Sequence, residues 1–65
     1  MFGNLLVEMK RAKVTQSDIA RHLSLSKVSV IQKIYGRTDF TASEMFAIKE
    51  HFFPELTLEY LFEKK

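Results

Sequence analysis

The side chains best suited to specific contacts lie between residues 27 and 32. Lys27, Val28 and Gln32 offer an ammonium group, a small apolar surface and an amide. Ammonium and amide groups can hydrogen-bond to base edges in the major groove of DNA, and an apolar side chain can contact the methyl group of thymine. Solvent exposure without a partner, or local packing in the case of Val28, are the competing interpretations. The three residues therefore indicate a surface that contacts bases or phosphates if one helix carries them all.

The flanking sequence predicts that helix. Thr15 and Ser26 are favourable N-cap residues, and apolar residues occupy the hydrophobic-staple positions around each of them. Two short helices are therefore expected, joined only by residues 23–25, which is typical of a helix-turn-helix. In such a unit the first turns of the second helix face a DNA groove. The staple pairs are Val14 with Ile19 and Leu25 with Val30.

Three further helices are predicted around this pair. Apolar residues at helical spacing predict a first helix over about residues 3–13. Gly36 is expected to end the third helix as a C-terminal cap. Thr41 and Glu44 form a capping box for a fourth helix, which should end before Pro54. The predicted inward stripe of this fourth helix is Met45, Ile48 and Phe52.

A short fifth helix is expected to begin after Thr57 and to run to about Glu63. No stretch alternates at period two, so the predicted fold class is all-α. Five helices are expected in a single domain over residues 1–65. That length allows only a small core, in the size range where close packing or oligomerisation must help.

Composition limits the classes of function. The absence of cysteine fits a reducing interior, the first residues do not show the pattern of a signal peptide, and no apolar run approaches about 20 residues. A cytoplasmic protein without a membrane partner is expected. Residues 1–40 contain seven Lys or Arg against three acids, a net +4, whereas residues 41–65 contain three against five, a net −2. The basic half contains the predicted helix-turn-helix, as a phosphate-facing surface requires.

The titratable residues do not predict catalysis. His22 and His51 are far apart in the sequence, with no cysteine and no carboxylate at ligand spacing, so no metal site is expected. No set of nucleophile, base and orienting group is present either. The sequence therefore predicts no enzyme, no cofactor and no small-molecule substrate.

The helix-turn-helix region resembles a known family. The residues Thr15-Gln16, Ile19-Ala20, Leu23, Leu25-Ser26, Val30 and Gly36 are similar to the Cro/repressor (lambda-repressor-like, XRE-type) helix-turn-helix family. The segment Lys33-Ile34-Tyr35-Gly36-Arg37, followed by Phe40-Thr41 and Glu44, also resembles small phage or prophage regulators of Gram-positive bacteria. The resemblance implies a sequence-specific DNA-binding transcriptional regulator. Such a protein binds a palindromic operator as a homodimer, with the third helix in the major groove.

The resemblance also implies roles for individual residues. The base-contacting positions fall on Lys27, Val28 and Gln32, and Gln16 matches a glutamine that binds a backbone phosphate. The full set expected to contact phosphates is Gln16, Ser26, Ser29, Lys33, Arg37 and Thr38. The chain departs from the family at Ser24, where glycine is usual, and at Tyr35, where asparagine is frequent. Met9 and Ile34 stand where many members have an ion pair, so an apolar contact is expected there.

Self-association is expected near Pro54. The last two helices carry more apolar residues than a core this small can enclose, so some should form an exposed patch. The predicted interface of a weak homodimer consists of Phe53, Pro54, Leu58, Tyr60 and Phe62. An alternative function remains open, in which an antirepressor or modulator uses the third helix, with Val28 and Ile31, to bind another phage regulator.

Overall fold

A computed structural model describes residues 1–64 and contains five α-helices. Their bounds are α1 Gly3–Ala12, α2 Gln16–Leu23, α3 Lys27–Ile34, α4 Ala42–Phe52 and α5 Leu58–Leu61. No strand occurs within these 64 residues, so the predicted all-α class is confirmed. α2 packs mainly against α3, while α5 contacts both α1 and α4.

Four helices begin where the N-cap residues predicted. The hydroxyl oxygens of Thr15, Ser26, Thr41 and Thr57 each accept the backbone N–H three residues further on, at 3.1 Å. Thr15 with Asp18, and Thr41 with Glu44, form complete capping boxes. α5 ends at Leu61 and not near Glu63, because Phe62 leaves helical geometry and its ring packs edge-on against Phe2.

Left-handed backbone ends two of the helices. Ser24, which stands where the resemblance implies glycine, follows α2 with φ 57° and ψ 41°. Lys13 adopts nearly the same geometry after α1, which was not anticipated. Gly36, two residues after the end of α3, has φ +86°. A Cβ atom there would lie 3.3 Å from the backbone nitrogen of Met1, so glycine suits both the turn and the close approach.

The buried apolar residues form one cluster to which every helix contributes. Met9 and Ile34, which were predicted to contact each other, both belong to it. The backbone N–H of Phe2 donates to the carbonyl of Ile34 at 3.0 Å, which fixes the start of the chain against the end of α3. The cluster consists of Phe2, Leu5, Met9, Ile19, Ala20, Val30, Ile34, Phe40, Ile48, Phe53 and Leu61.

Phe53 corrects the predicted division between inward and outward aromatic residues. It belongs to the predicted interface near Pro54, where some of the residues should be partly exposed, but only 6% of it is exposed. Phe52, assigned to the inward stripe, is only half-buried. The reason is that α4 ends at Phe52: Phe53 has φ −137° and ψ 59°, so the helical periodicity no longer determines the direction of its side chain.

Candidate nucleic-acid interface

One side of α3 is left uncovered by the rest of the protein. We call it the α3 face and define it by Lys27, Val28, Ile31, Gln32 and Tyr35, which follow one another at intervals that keep them on one side of a helix. Val28 is 63% exposed, Lys27, Gln32 and Tyr35 are also exposed, and Ile31 is half-buried. The opposite side of α3 supplies Val30 and Ile34 to the core. The three predicted base-contacting residues thus share one accessible surface.

Three of the residues predicted to contact phosphates lie at the N-termini of α2 and α3. Ser26 caps α3, and its hydroxyl also donates to the hydroxyl of Ser29 at 3.0 Å. Gln16 is the first residue of α2 and is half-buried. Backbone N–H groups at a helix N-terminus favour a nearby anion, so both sites are suited to a phosphate oxygen.

A carboxylate shares the N-terminus of α2 with Gln16. The backbone N–H of Thr15 donates to Asp18 at 2.9 Å, and this bond holds the pKa of the Asp18 carboxyl below its usual value. The Thr15 hydroxyl and the positive charge of Arg21 act in the same direction. Asp18 therefore stabilises the N-cap of α2. A phosphate bound at this end of the helix would lie beside its carboxylate.

Lys33, which was predicted to contact a phosphate, is bound within the protein instead. Its ammonium group donates to the carbonyl of Asp39 at 2.9 Å and lies 3.4 Å from the carboxylate of Glu44. The side chain is only 16% exposed. Lys33 therefore joins α3, the following loop and the N-terminal capping box of α4. Its charge is already engaged within the protein.

Arg37 and Thr38 are exposed on the loop after α3, as expected for residues that contact phosphates. Arg37 also lines an open groove of about 570 Å³ together with Ile31, Gln32 and Tyr35. The groove continues the α3 face beyond the end of the helix. It combines apolar surface, an amide and a guanidinium group.

The basic residues divide according to whether they form ion pairs. Within residues 1–64, Arg11, Arg21, Lys33, Lys49 and Lys64 each lie within 4 Å of a carboxylate. Four others form no such pair in this part of the chain, and all four belong to the basic half: Lys10, Lys13, Lys27 and Arg37. These four charges are available to an anionic partner.

Two histidines meet although the sequence separates them widely. The rings of His22 on α2 and His51 on α4 stack with centroids 4.1 Å apart and an angle of 14° between their planes. Both side chains are exposed, and Phe52 contacts each ring edge-on. No group of three or more His, Asp or Glu residues that could hold a metal ion is found in the described part of the chain. Only the packing of α2 against α4 brings the two histidines together, so sequence spacing could not reveal the pair.

The predicted dimer residues have unequal exposure. Pro54 and Tyr60 are exposed and Leu58 is half-buried, whereas Phe53 belongs to the core. Phe62 is half-buried, because its ring packs against those of Phe2 and Phe40, with ring centroids 5.5 Å apart in each pair. The most exposed phenylalanine is Phe46 on α4, at 54%, which was not among the predicted interface residues.

Tyr60 also connects two helices. Its hydroxyl donates to Glu8 on α1 at 2.7 Å, and this bond raises the pKa of Tyr60 above its ordinary value. The carbonyl of Tyr60 accepts from the side-chain amide of Asn4 at 2.8 Å. Tyr60 therefore holds α5 against α1 and is not simply a free surface residue.

No helix in the described residues is long and apolar enough to cross a bilayer. Neither a protein-family model, nor a curated protein, nor a solved structure matches the chain.

Proposed function

We propose that this protein is a sequence-specific DNA-binding transcriptional regulator of the Cro/repressor type. In this proposal α2 and α3 form the helix-turn-helix of a lambda-repressor-like fold, and α3 enters the major groove. The observation that carries the proposal is the α3 face, which presents Lys27, Val28 and Gln32 on a capped helix that contains no acidic residue. Such a regulator would act in the cytoplasm, beside its DNA.

The proposed phosphate contacts follow from the charges that are available. Lys27, at the start of the α3 face, can neutralise a phosphate as well as contact a base, and Arg37 lies just beyond the other end of the face. Neither forms an ion pair within residues 1–64. Gln16, Ser29 and Thr38 complete the set as neutral donors, whereas the hydroxyl of Ser26 already donates to that of Ser29. Lys33 is assigned to the fold, because its ammonium group is already bound between Asp39 and Glu44.

The first test measures affinity for DNA against salt concentration. Each phosphate neutralised by a basic side chain contributes about 0.9 to the slope of log K against log salt. Lys27→Met should therefore lower this slope by about 0.9. Fluorescence anisotropy with labelled duplex DNA, selected from a random pool by the wild-type protein, provides the measurement.

Two matched substitutions act as controls. Lys64→Met removes an ammonium group that pairs with Asp39. Lys33→Met removes the ammonium group that donates to the Asp39 carbonyl and lies beside Glu44. Both should leave the slope unchanged in protein that circular dichroism shows to be folded. If the protein selects no sequence from the pool at low salt, the proposed function is wrong.

We further propose that two chains bind a palindromic operator. A weak dimer in the absence of DNA is expected, because Phe53 is buried and Phe62 is partly covered, which leaves little exposed apolar surface near Pro54. Two α3 helices one DNA turn apart, about 34 Å, would match the family's geometry. Sedimentation of the protein with its selected duplex should show two chains per site, and saturation at one chain would exclude this arrangement.

The apolar part of the α3 face supports a second candidate function. Val28, Ile31 and Tyr35 form a stripe that continues into the groove beside Arg37. An antirepressor or modulator could use such a surface to bind another phage regulator. Sequence-selective DNA binding that Gln32→Ala alters would favour the first function. Failure to bind any duplex would favour the second.

A further inference from the structure

The chemistry of the α3 face limits which bases it can recognise. Val28 and Gln32 are four residues apart on α3, so their side chains are neighbours on one side of the helix. At 1.5 Å per residue they are separated by about 6 Å along the axis, close to two base-pair steps of 3.4 Å. One helix aligned with the groove could therefore present them to different base pairs of one half-site.

The groups that most often recognise G·C pairs are scarce on α3. Arginine and lysine make the commonest contact with guanine, and the helix contains no arginine; it also contains no carboxylate to accept from cytosine. Of its two lysines, Lys33 is bound to the Asp39 carbonyl and lies beside Glu44. Lys27, at the first turn, is the one cation of this helix left to contact a base or a phosphate.

The exposed residues instead suit A·T pairs. The thymine methyl is the apolar feature of the major-groove edge, and Val28 is the most exposed of the large apolar side chains in residues 1–64. The amide of Gln32 can pair with both N6 and N7 of adenine. From this combination we infer that the operator half-site has an A·T core, in which a thymine methyl contacts Val28 and an adenine pairs with Gln32. The inference rests on the proposed function and names the class of sequence that it recognises.

A methyl-deletion experiment tests the inference. After selection of the preferred duplex, each thymine of a half-site is replaced in turn by uracil, which removes only the C5 methyl. At one position the wild-type protein should lose about fourfold in affinity, the loss expected for one buried group of methylene size. Val28→Ala should bind the thymine and uracil duplexes equally at that position, because its side chain no longer reaches the methyl.

The chain offers a matched control. Val7 on α1 is 48% exposed, and Val7→Ala makes the same chemical change away from α3. This variant should keep the fourfold preference for thymine. Gln32→Ala should keep it too, while losing the preference for adenine at a neighbouring pair.

The outcomes separate the two levels of the proposal. Selection of a half-site in which α3 recognises only G·C pairs would overturn the inference. Equal sensitivity to uracil in wild-type protein and Val28→Ala would overturn it as well, although the protein would remain a DNA-binding regulator. Absence of any sequence preference would overturn the proposed function, and the inference with it.

Discussion

At the scale of single residues, Ser24 and Lys13 hold backbone conformations that cost free energy. Both have positive φ, near 57–58°, where the Cβ of an ordinary residue is crowded. Glycine avoids that crowding but loses more entropy on folding, so the expected net gain is about 0.5–1 kcal/mol. Ser24→Gly and Lys13→Gly should each raise the melting temperature by roughly 2–8 °C, measured by circular dichroism.

Lys10 provides the control for this prediction. It lies three residues before Lys13, but within α1. Lys10→Gly should lower the stability by about 1 kcal/mol, because glycine is unfavourable inside a helix. If both lysine substitutions changed the melting temperature in the same direction, backbone geometry would not be the cause.

Asp18 predicts a dependence of stability on pH. Because the Thr15 N–H lowers the pKa of this carboxyl in the folded state, the unfolded chain binds the proton more tightly. The stabilisation is therefore present above the ordinary carboxyl pKa of 3.8 and is lost as the pH falls through the lower pKa of the folded state. Urea unfolding at pH 6 and pH 2.5 should show that Asp18→Asn costs stability mainly at the higher pH. An equal cost at both values would contradict this linkage.

At the scale of the helices, N-caps account for most of the agreement between sequence and structure. An N-cap depends on a hydroxyl and on an amide three residues away, so local sequence contains almost all the information needed to predict it. Phe53 and the histidine pair depend on where α4 stops and how α2 lies against it. Neither feature is encoded within one turn of helix, and for that reason the sequence did not predict them.

The cap of α4 can be tested directly. Thr41→Ala removes the hydroxyl that accepts the N–H of Glu44, and should cost about 0.5–2 kcal/mol of stability. Thr38→Ala is the matched control, since Thr38 is exposed on the preceding loop. It should change the free energy of unfolding, measured in urea, by less than about 0.5 kcal/mol. Similar losses for the two variants would mean that the cap contributes little.

At the scale of the whole molecule, the sequence predicted where the residues of the candidate site lie better than it predicted which of their charges are free. Helical periodicity placed Lys27, Val28 and Gln32 on one exposed surface, because side-chain direction follows from the helix itself. The environment of Lys33 depends instead on the path of the loop back to α4. A count of basic residues treats it as one more charge for phosphate, whereas tertiary structure has already neutralised it.

The contact between α1 and α5 also determines the order in which the molecule can assemble. Glu8 and Tyr60 are 52 residues apart, so the hydrogen bond between their side chains cannot form on a ribosome until residue 60 has been synthesised. Contacts between distant residues close the largest loop, and we expect them to form after the folding transition state. Tyr60→Phe should therefore speed unfolding in stopped-flow measurements and leave the folding rate nearly unchanged. Tyr35→Phe, on the exposed side of α3, should alter neither rate. Slower folding of Tyr60→Phe would mean instead that α1 and α5 come together at the start of folding.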